Sequence, residues 1–396
     1  MGQGTDEGQT MGLEKRGVTQ TRRNFVRATA LAALAPVMTP AMAQSGDGAD
    51  KTAHLSGPGF GPAPGVALLS RNENPYGPSE KAVAAGCAAT EQGAYYADRS
   101  LLYLVDMIAE RNRIPREFVS VSAGSGEGLC AAAQSWTRDG GKIAAPTLFW
   151  DTTVRYAERQ GAKIVTAPMK SDLGVDLDAL EAVIDDNVSL VHITNPNNPT
   201  GMLLDPDELR AFIGRIEKRA TVLVDEAYNE LTDIPETASM VDLVRDGKNV
   251  IVSRTFSKIY GMAGLRVGYL MARADLTARI RSNIMSWISG PGLAAAIASY
   301  DDQEFLAESR ARIIEGREMV IAAAQSHGLV CLPSQTNFAF VNVKGDANMF
   351  RDKMASERIY IRGAYQGLPN WSRVSMGRLE DLSRYIAALP KAIAAG

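Results

Sequence analysis

The sequence predicts an α/β protein: a three-layer, mostly parallel sheet in a large domain, followed by a smaller α+β domain. Three observations carry this. From about residue 115 short apolar runs alternate with stretches of helical spacing, the order a parallel sheet covered on both faces requires. Each polar cluster in that region directly follows an apolar run, where such sheets place their ligands. After about Phe305 the texture changes to a long charged helix and a few isolated strands. The 396 residues suit two packed domains, and 45% hydrophobic against 22% charged residues can bury a large core.

The chain starts with a targeting pattern. Thr21-Arg-Arg-Asn-Phe-Val-Arg27 is basic, an uncharged Ala-rich stretch follows, and Ala41-Met-Ala43 closes it. A basic region, an apolar region and a small-residue cleavage site are the parts of a secretory signal, and the paired arginines look like a twin-arginine export signal. Pro36, Pro40 and the short apolar run argue against an uncleaved anchor. Cleavage after Ala43 would leave 353 residues of net charge −5 and place the protein in the periplasm. Residues 44–65 are rich in Gly, Pro, Ser and Ala and read as a flexible linker. No later segment is a credible membrane span, because the uncharged run 282–300 is broken by Ser289-Gly-Pro-Gly292.

Strands are predicted over 119–122, 142–145, 163–167, 189–194, 221–224, 249–253 and 267–271. Helical spacing falls over 129–136, 153–160, 177–184 and 205–219. The second domain reads as a helix over 305–325, strands at 337–343, 359–362 and 373–376, and a further helix between the first two strands.

Composition narrows the chemistry. Forty-two basic and 45 acidic residues give a net charge of −3, which offers no reason to invoke nucleic acid. Three distant cysteines form neither a disulfide framework nor a zinc pattern, and three histidines leave little for a metal site, so no metal is expected. His192 reads as a satisfied strand residue, Cys130 as an inert helix residue, and Met262 and Met376 as packing.

Four clusters remain. Ser253–Gly268 holds Lys258 at a strand-to-loop boundary among Thr255, Ser257 and Arg266. A buried lysine there becomes a nucleophilic amine, and the hydroxyls and guanidinium suit a phosphate ester. Asp225 ends a β-branched run and would hold a heteroaromatic nitrogen in its protonated form, with Tyr228 three residues on. Asn195-Pro-Asn-Asn-Pro-Thr-Gly201 is a rigid turn that projects amides from the sheet edge. Ala123-Gly-Ser-Gly-Glu-Gly128, before a helix, would cradle an anion. A phosphate cradle, a lysine, an acid for a ring nitrogen and an Asn/Tyr pair for a ring oxygen are what pyridoxal 5'-phosphate requires.

From about Leu68 to the C-terminus the chain resembles the fold-type I aminotransferases, in their histidinol-phosphate aminotransferase-like branch. The resemblance rests on Asn72-Glu-Asn-Pro-Tyr-Gly-Pro78, Tyr96-Ala-Asp98, 195–201, 225–228, Ser257-Lys258 with Gly264-Leu-Arg266, and Gly367-Leu-Pro-Asn with Arg373-Val-Ser-Met-Gly377. It implies an aspartate-aminotransferase-like large domain over 98–304 that binds the cofactor, an N-terminal arm over 66–97 and a small domain over 305–396. Lys258 would form a Schiff base with the cofactor and shuttle a proton. Asp225 would pair with the ring nitrogen, and Asn198 and Tyr228 would bond the ring oxygen. Ser125 and Gly126, Thr255 or Ser257, and Arg266 would bind the phosphate, with Glu127 a further residue of the cofactor site. Tyr96 would reach the cofactor of a neighbouring subunit, which implies a homodimer. Arg373 would clamp a substrate carboxylate, with Tyr76, Asn337 and Arg362 as further substrate contacts.

The chain departs from the family pattern where a ring is expected to stack on the cofactor: Leu148 holds that position, with Phe149 and Trp150 next. The expected activity is transfer of an amino group from an amino acid to a 2-oxo acid. A lyase, racemase, decarboxylase or amino acid oxidase on the same cofactor is the alternative. Export through the twin-arginine machinery, which moves folded protein, would let a cofactor loaded in the cytoplasm travel with the chain.

Overall fold

The structure is a computed structural model that describes residues 60–365 and 367–393. The export signal and residues 44–59 of the linker lie outside the described residues. The described residues belong to one compact unit.

Seven strands form the central sheet. They are β2 (Val119–Ser122), β3 (Lys142–Pro146), β4 (Lys163–Ala167), β5 (Val188–Thr194), β6 (Thr221–Asp225), β7 (Val250–Thr255) and β8 (Gly268–Met271), in the order β2-β8-β7-β6-β5-β3-β4. Strands β3 to β7 pair in parallel, as expected, whereas β8 runs against both its neighbours. The connection 256–267 contains no α-helix to carry the chain back over the sheet, and β8 returns antiparallel beside β7. Successive residues of β5, β6 and β7 alternate between two buried faces. Leu190, Leu223 and Ile251 meet Leu129 and Trp136 on one side, while Val191, Val222 and Val250 join Phe212 and Ile216 on the other. Burial on both faces explains why these strands read as unbroken apolar runs.

The helix after β2, α3 (Ser125–Thr137), begins four residues earlier than the spacing predicts, so the glycine-rich cluster is its first turn rather than a separate loop. Helix α6 (Pro206–Ile216) starts as its sequence dictates: Asp205 caps the amides of Asp207 and Glu208, and Pro206 opens the helix. Two N-terminal helices absent from the sequence reading, α1 (Glu80–Thr90) and α2 (Asp98–Asn112), complete the layer around α10 (Gly290–Tyr300).

The C-terminal part holds a three-stranded antiparallel sheet, β12-β10-β9, built from β9 (Val330–Cys331), β10 (Phe338–Asn342) and β12 (Trp371–Ser375). Helices α11 (Gln303–Ser326) and α13 (Leu379–Ile393) pack beside it. Near the start of the described chain, β1 (Ala67–Leu68) pairs in parallel with β11 (Ile359–Tyr360), an association between segments far apart in sequence. Among the described residues no helix is long and apolar enough to cross a membrane.

Candidate active site

Lys258 lies in the turn that follows β7, partly buried, and its Nζ donates to the backbone oxygen of Asn72 at 3.2 Å. The segment 72–78 locks this turn. Asn74 Nδ2 donates to the carbonyl of Ile259 and to Ser309 Oγ, both at 2.6 Å. Gly77 and Gly261 meet backbone to backbone: a Cβ on Gly261 would stand 2.4 Å from Gly77 Cα, and Gly261 has φ +67°. Only glycine allows both the approach and the conformation.

Asp225, the last residue of β6, is buried, and its Oδ1 has no hydrogen-bond partner among the described residues. Tyr228 Oη accepts from Asn72 Nδ2 at 2.9 Å and from Asn198 Nδ2 at 3.4 Å. Asn198 Oδ1 in turn accepts from Arg373 Nη1 at 2.6 Å, and Arg373 Nη2 donates to the Ser70 carbonyl at 2.9 Å. Asn337 Nδ2 donates to the Asn72 carbonyl at 2.9 Å. A single network thus joins the ends of β5 and β6, the turn after β7, β12 and the 70–74 segment.

Its electrostatics are unusual. Burial, then the Arg373 guanidinium, pulls the Lys258 amine down to about 8, against the opposing pull of Glu73 and Asp225. Burial pushes Asp225 up to about 7, with the Lys258 charge opposing, and pushes the Tyr228 phenol up to about 12. A lysine that sheds its proton near pH 8 instead of above 10, beside a carboxyl poised to change charge, marks a reactive site.

At the rim, Ser125 and Gly126 open α3, whose free amides and dipole favour an anion. Arg266 Nη1 reaches Ser257 Oγ at 3.4 Å, and Ser257 Oγ accepts from Thr255 Oγ1 at 3.0 Å. The guanidinium lies flat on Gly124, where a Cβ would come within 2.0 Å of Nη2, and Gly268 likewise leaves 2.2 Å to Ser125 N. Glu127 is turned inward: its carboxylate accepts from the amides of Ala123 at 2.7 Å and Ser286 at 3.1 Å. Its side chain therefore holds two loops together.

Tyr96 stays apart from this cluster. It is 77% exposed and tilts against exposed Trp287, ring centroids 4.9 Å apart. Tyr76 Oη donates to the Gly377 carbonyl at 3.5 Å. The backbone amide of Arg362 donates to the carbonyl of Arg373 at 3.0 Å, so the two arginines sit on adjoining stretches of chain. Asn72 is a site residue that the sequence reading quoted in a motif without giving it work. Its side chain donates to Tyr228 at a φ of +55° that asparagine tolerates, and its backbone carbonyl, which no residue type announces, accepts from Lys258 and Asn337.

Leu148 packs with Leu332 and Phe340, while the Phe149 ring meets His192 edge-on at 5.3 Å. Thr194 is paired with Asp225 and lies two residues past His192, so Phe149 stands over the face that carries Asp225. His192 is a strand residue, but not a satisfied one: neither ring nitrogen has a partner among the described residues, and burial drops it to about 3. Cys130 lies in α3 with its thiol pushed up to about 11 by burial. Met262 and Met376 are buried.

A family profile described as "Aminotransferase class I and II" matches residues 64–389. The chain belongs to that family. It is 35% identical over 337 residues to histidinol-phosphate aminotransferase 1 of Dechloromonas aromatica, covering 84% of this chain and 91% of the relative. Identity to histidinol-phosphate aminotransferase 2 of Ralstonia nicotianae is 36% over 337 residues, 83% and 89% of the two chains. The crystal structure of histidinol-phosphate aminotransferase from Sinorhizobium meliloti in complex with pyridoxal-5'-phosphate superposes with a TM-score of 0.78 at 28% identity, covering 83% and 91%.

The protein is a pyridoxal-phosphate-dependent aminotransferase, and the alternative reactions are not favoured. Its substrates are amino acids and 2-oxo acids, and aminotransferases of this family are typically dimers. The residues present fit the cofactor. The partnerless oxygen of Asp225 awaits a donor, the glycine-floored cradle offers amides, hydroxyls and a guanidinium to a phosphate, and Lys258 carries an amine of lowered basicity.

Proposed function

We propose that this aminotransferase works in the periplasm on an amino donor whose anionic group is held by Arg373. The supporting observation is the Arg373–Asn198 bond at 2.6 Å, which ties a buried cation on β12 to the ring-oxygen amide. Bound pyridoxal phosphate supplies an aldehyde for the amino group and a ring that withdraws electrons from the donor's α-carbon. In this reading Asp225 holds the ring nitrogen, and Asn198 and Tyr228 hold the ring oxygen. Ser125, Gly126, Thr255, Ser257 and Arg266 hold the phosphate. Lys258, close to neutral near pH 8, takes a proton from the α-carbon side and returns it. Phe149 covers the ring. Tyr96 completes the site of a second copy, and the chain divides into large and small domains at 304/305.

The export pattern at residues 21–43 supports the location, with passage through the twin-arginine machinery and cleavage after Ala43. It favours a specialised amino acid or amine over a cytoplasmic biosynthetic intermediate. Histidinol phosphate is the second reading, supported by the relatives' names and by Arg362 beside Arg373 as a second cation for a phosphate. A donor screen with a 2-oxo acid acceptor, including histidinol phosphate, tests both; ammonia or peroxide release with no new amino acid would overturn transamination. Cell fractionation that finds only unprocessed chain in the cytoplasm would overturn export.

A further inference from the structure

Asp225 and Glu226 are consecutive carboxylates at the end of β6, and both are buried. They leave the strand on opposite faces. Glu226 turns away from the site and is saturated with donors. Its Oε1 accepts from Met240 N at 2.6 Å. Its Oε2 accepts from Ser239 Oγ at 2.8 Å and from Arg254 Nη2 at 3.0 Å and Nε at 3.2 Å. Arg254 stands on β7 one residue before Thr255, is 12% exposed, and also faces Glu230 at 3.7 Å. The Glu226 amide donates to the Ser253 carbonyl at 2.9 Å, and Ser253 is the register partner of Asp225. A buried ion pair therefore clamps, from behind, the two strand ends that carry the ring-nitrogen acid and the lysine turn.

We propose that the Glu226–Arg254 pair is a positioning and charge-setting device for Asp225, acting across the strand from the face opposite the cofactor. The claim rests on the reading that Asp225 holds the ring nitrogen. The ionisable groups that act on Asp225 are Lys258 from the turn after β7, Glu226 beside it and Tyr228 three residues on. His192, on the same face, is kept neutral by burial. Glu226 raises the proton affinity of its neighbourhood, and Arg254 offsets it. Removing either partner exposes the charge of the other at short range in a poorly solvated place. A negative neighbour raises, and a positive one lowers, the pH at which both Asp225 and a nitrogen paired with it release protons.

The test is holoenzyme loaded with cofactor labelled with 15N at the ring nitrogen, its chemical shift followed against pH. Glu226→Gln keeps the shape, removes one negative charge, leaves Arg254 with Glu230 alone, and should lower the pH of proton loss by about one unit. Arg254→Met should raise it by a similar amount, while Arg254→Lys should stay near wild type. A packing role alone would move both charge-removing variants in the same direction or neither, and that result overturns the proposal. If Arg254→Met does not fold, Glu226→Gln must still move while Arg254→Lys does not. Asp225→Asn separates the two levels. If it leaves the nitrogen's titration unchanged, the reading of Asp225 fails; if it abolishes the retained proton while the pair variants do nothing, only the present proposal fails.

Discussion

Asn198 accepts a 2.6 Å hydrogen bond from Arg373 while donating to Tyr228 at 3.4 Å, so one amide links the phenol proposed for the ring oxygen to the guanidinium proposed for the substrate anion. Asn198 lies beyond β5 of the seven-stranded sheet and Arg373 on β12 of the three-stranded one. Substrate capture and cofactor orientation therefore share a side chain. Asn198→Ala should lower kcat/KM by about 10- to 100-fold, the loss expected when a buried charged donor loses its partner. It should also speed cofactor dissociation. Steady-state kinetics and absorbance on dilution check this; an effect on KM alone would contradict it.

Lys258 titrates near 8 in the cofactor-free protein, and only its neutral form attacks an aldehyde. The rate at which apoprotein takes up pyridoxal phosphate should rise with pH through about 8 and then level off. Stopped-flow absorbance measures it. Lys258→Ala should take up no borohydride-trappable cofactor.

Gly124→Ala places a methyl where the Arg266 guanidinium lies, on a backbone at φ +79°. Pyridoxal phosphate affinity should fall at least about tenfold, through a lost charged contact and backbone strain. Pyridoxal without its phosphate should bind wild type and variant about equally, as fluorescence titration would show.

Asp225 is a liability to the apoprotein. A carboxyl raised from 3.8 to about 7 on folding keeps its full contribution below pH 4 and loses it as pH climbs through about 7. Apo Asp225→Asn should therefore gain stability over wild type between pH 4 and 8, by at most about 4 kcal/mol. Urea unfolding at several pH values checks the sign; the cofactor should remove the difference for wild type by supplying a partner.

Tyr96 points outward, so its contribution to catalysis depends on a second copy. Mixed dimers of Tyr96→Ala and Lys258→Ala subunits should recover about half of wild-type activity at saturating substrate, because one site per dimer is then intact. If all residues came from one subunit, mixing would restore nothing.

The central sheet was legible because burial on both faces writes it as apolar runs: β2 and β4 fall on their predicted residues, and β6 differs by one. Lys258, Asp225, Tyr228 and Asn198 were legible because they follow those runs; Lys258, Tyr228 and Asn198 join one hydrogen-bond network with Arg373, and the Asp225 carboxyl lies near the Lys258 charge. What escaped was carried by geometry rather than residue type. The antiparallel β8 depends on a connection without an α-helix, β1 and β11 are two-residue strands without a pattern, and Asn72 acts through its carbonyl as well as its side chain. The bonds from two backbone amides to the Glu127 carboxylate were likewise not legible, because they depend on where the 123 and 286 loops meet.

The pairing of β1 with β11 sets a timetable for biogenesis. Leu69 donates to the Tyr360 carbonyl at 2.7 Å and accepts from Ser375, so the opening stretch finds its seat only when almost the last residues have left the ribosome. The segment 67–69 therefore waits unseated until strands from the far end of the fold reach it, and completion of the small sheet and of this edge coincide.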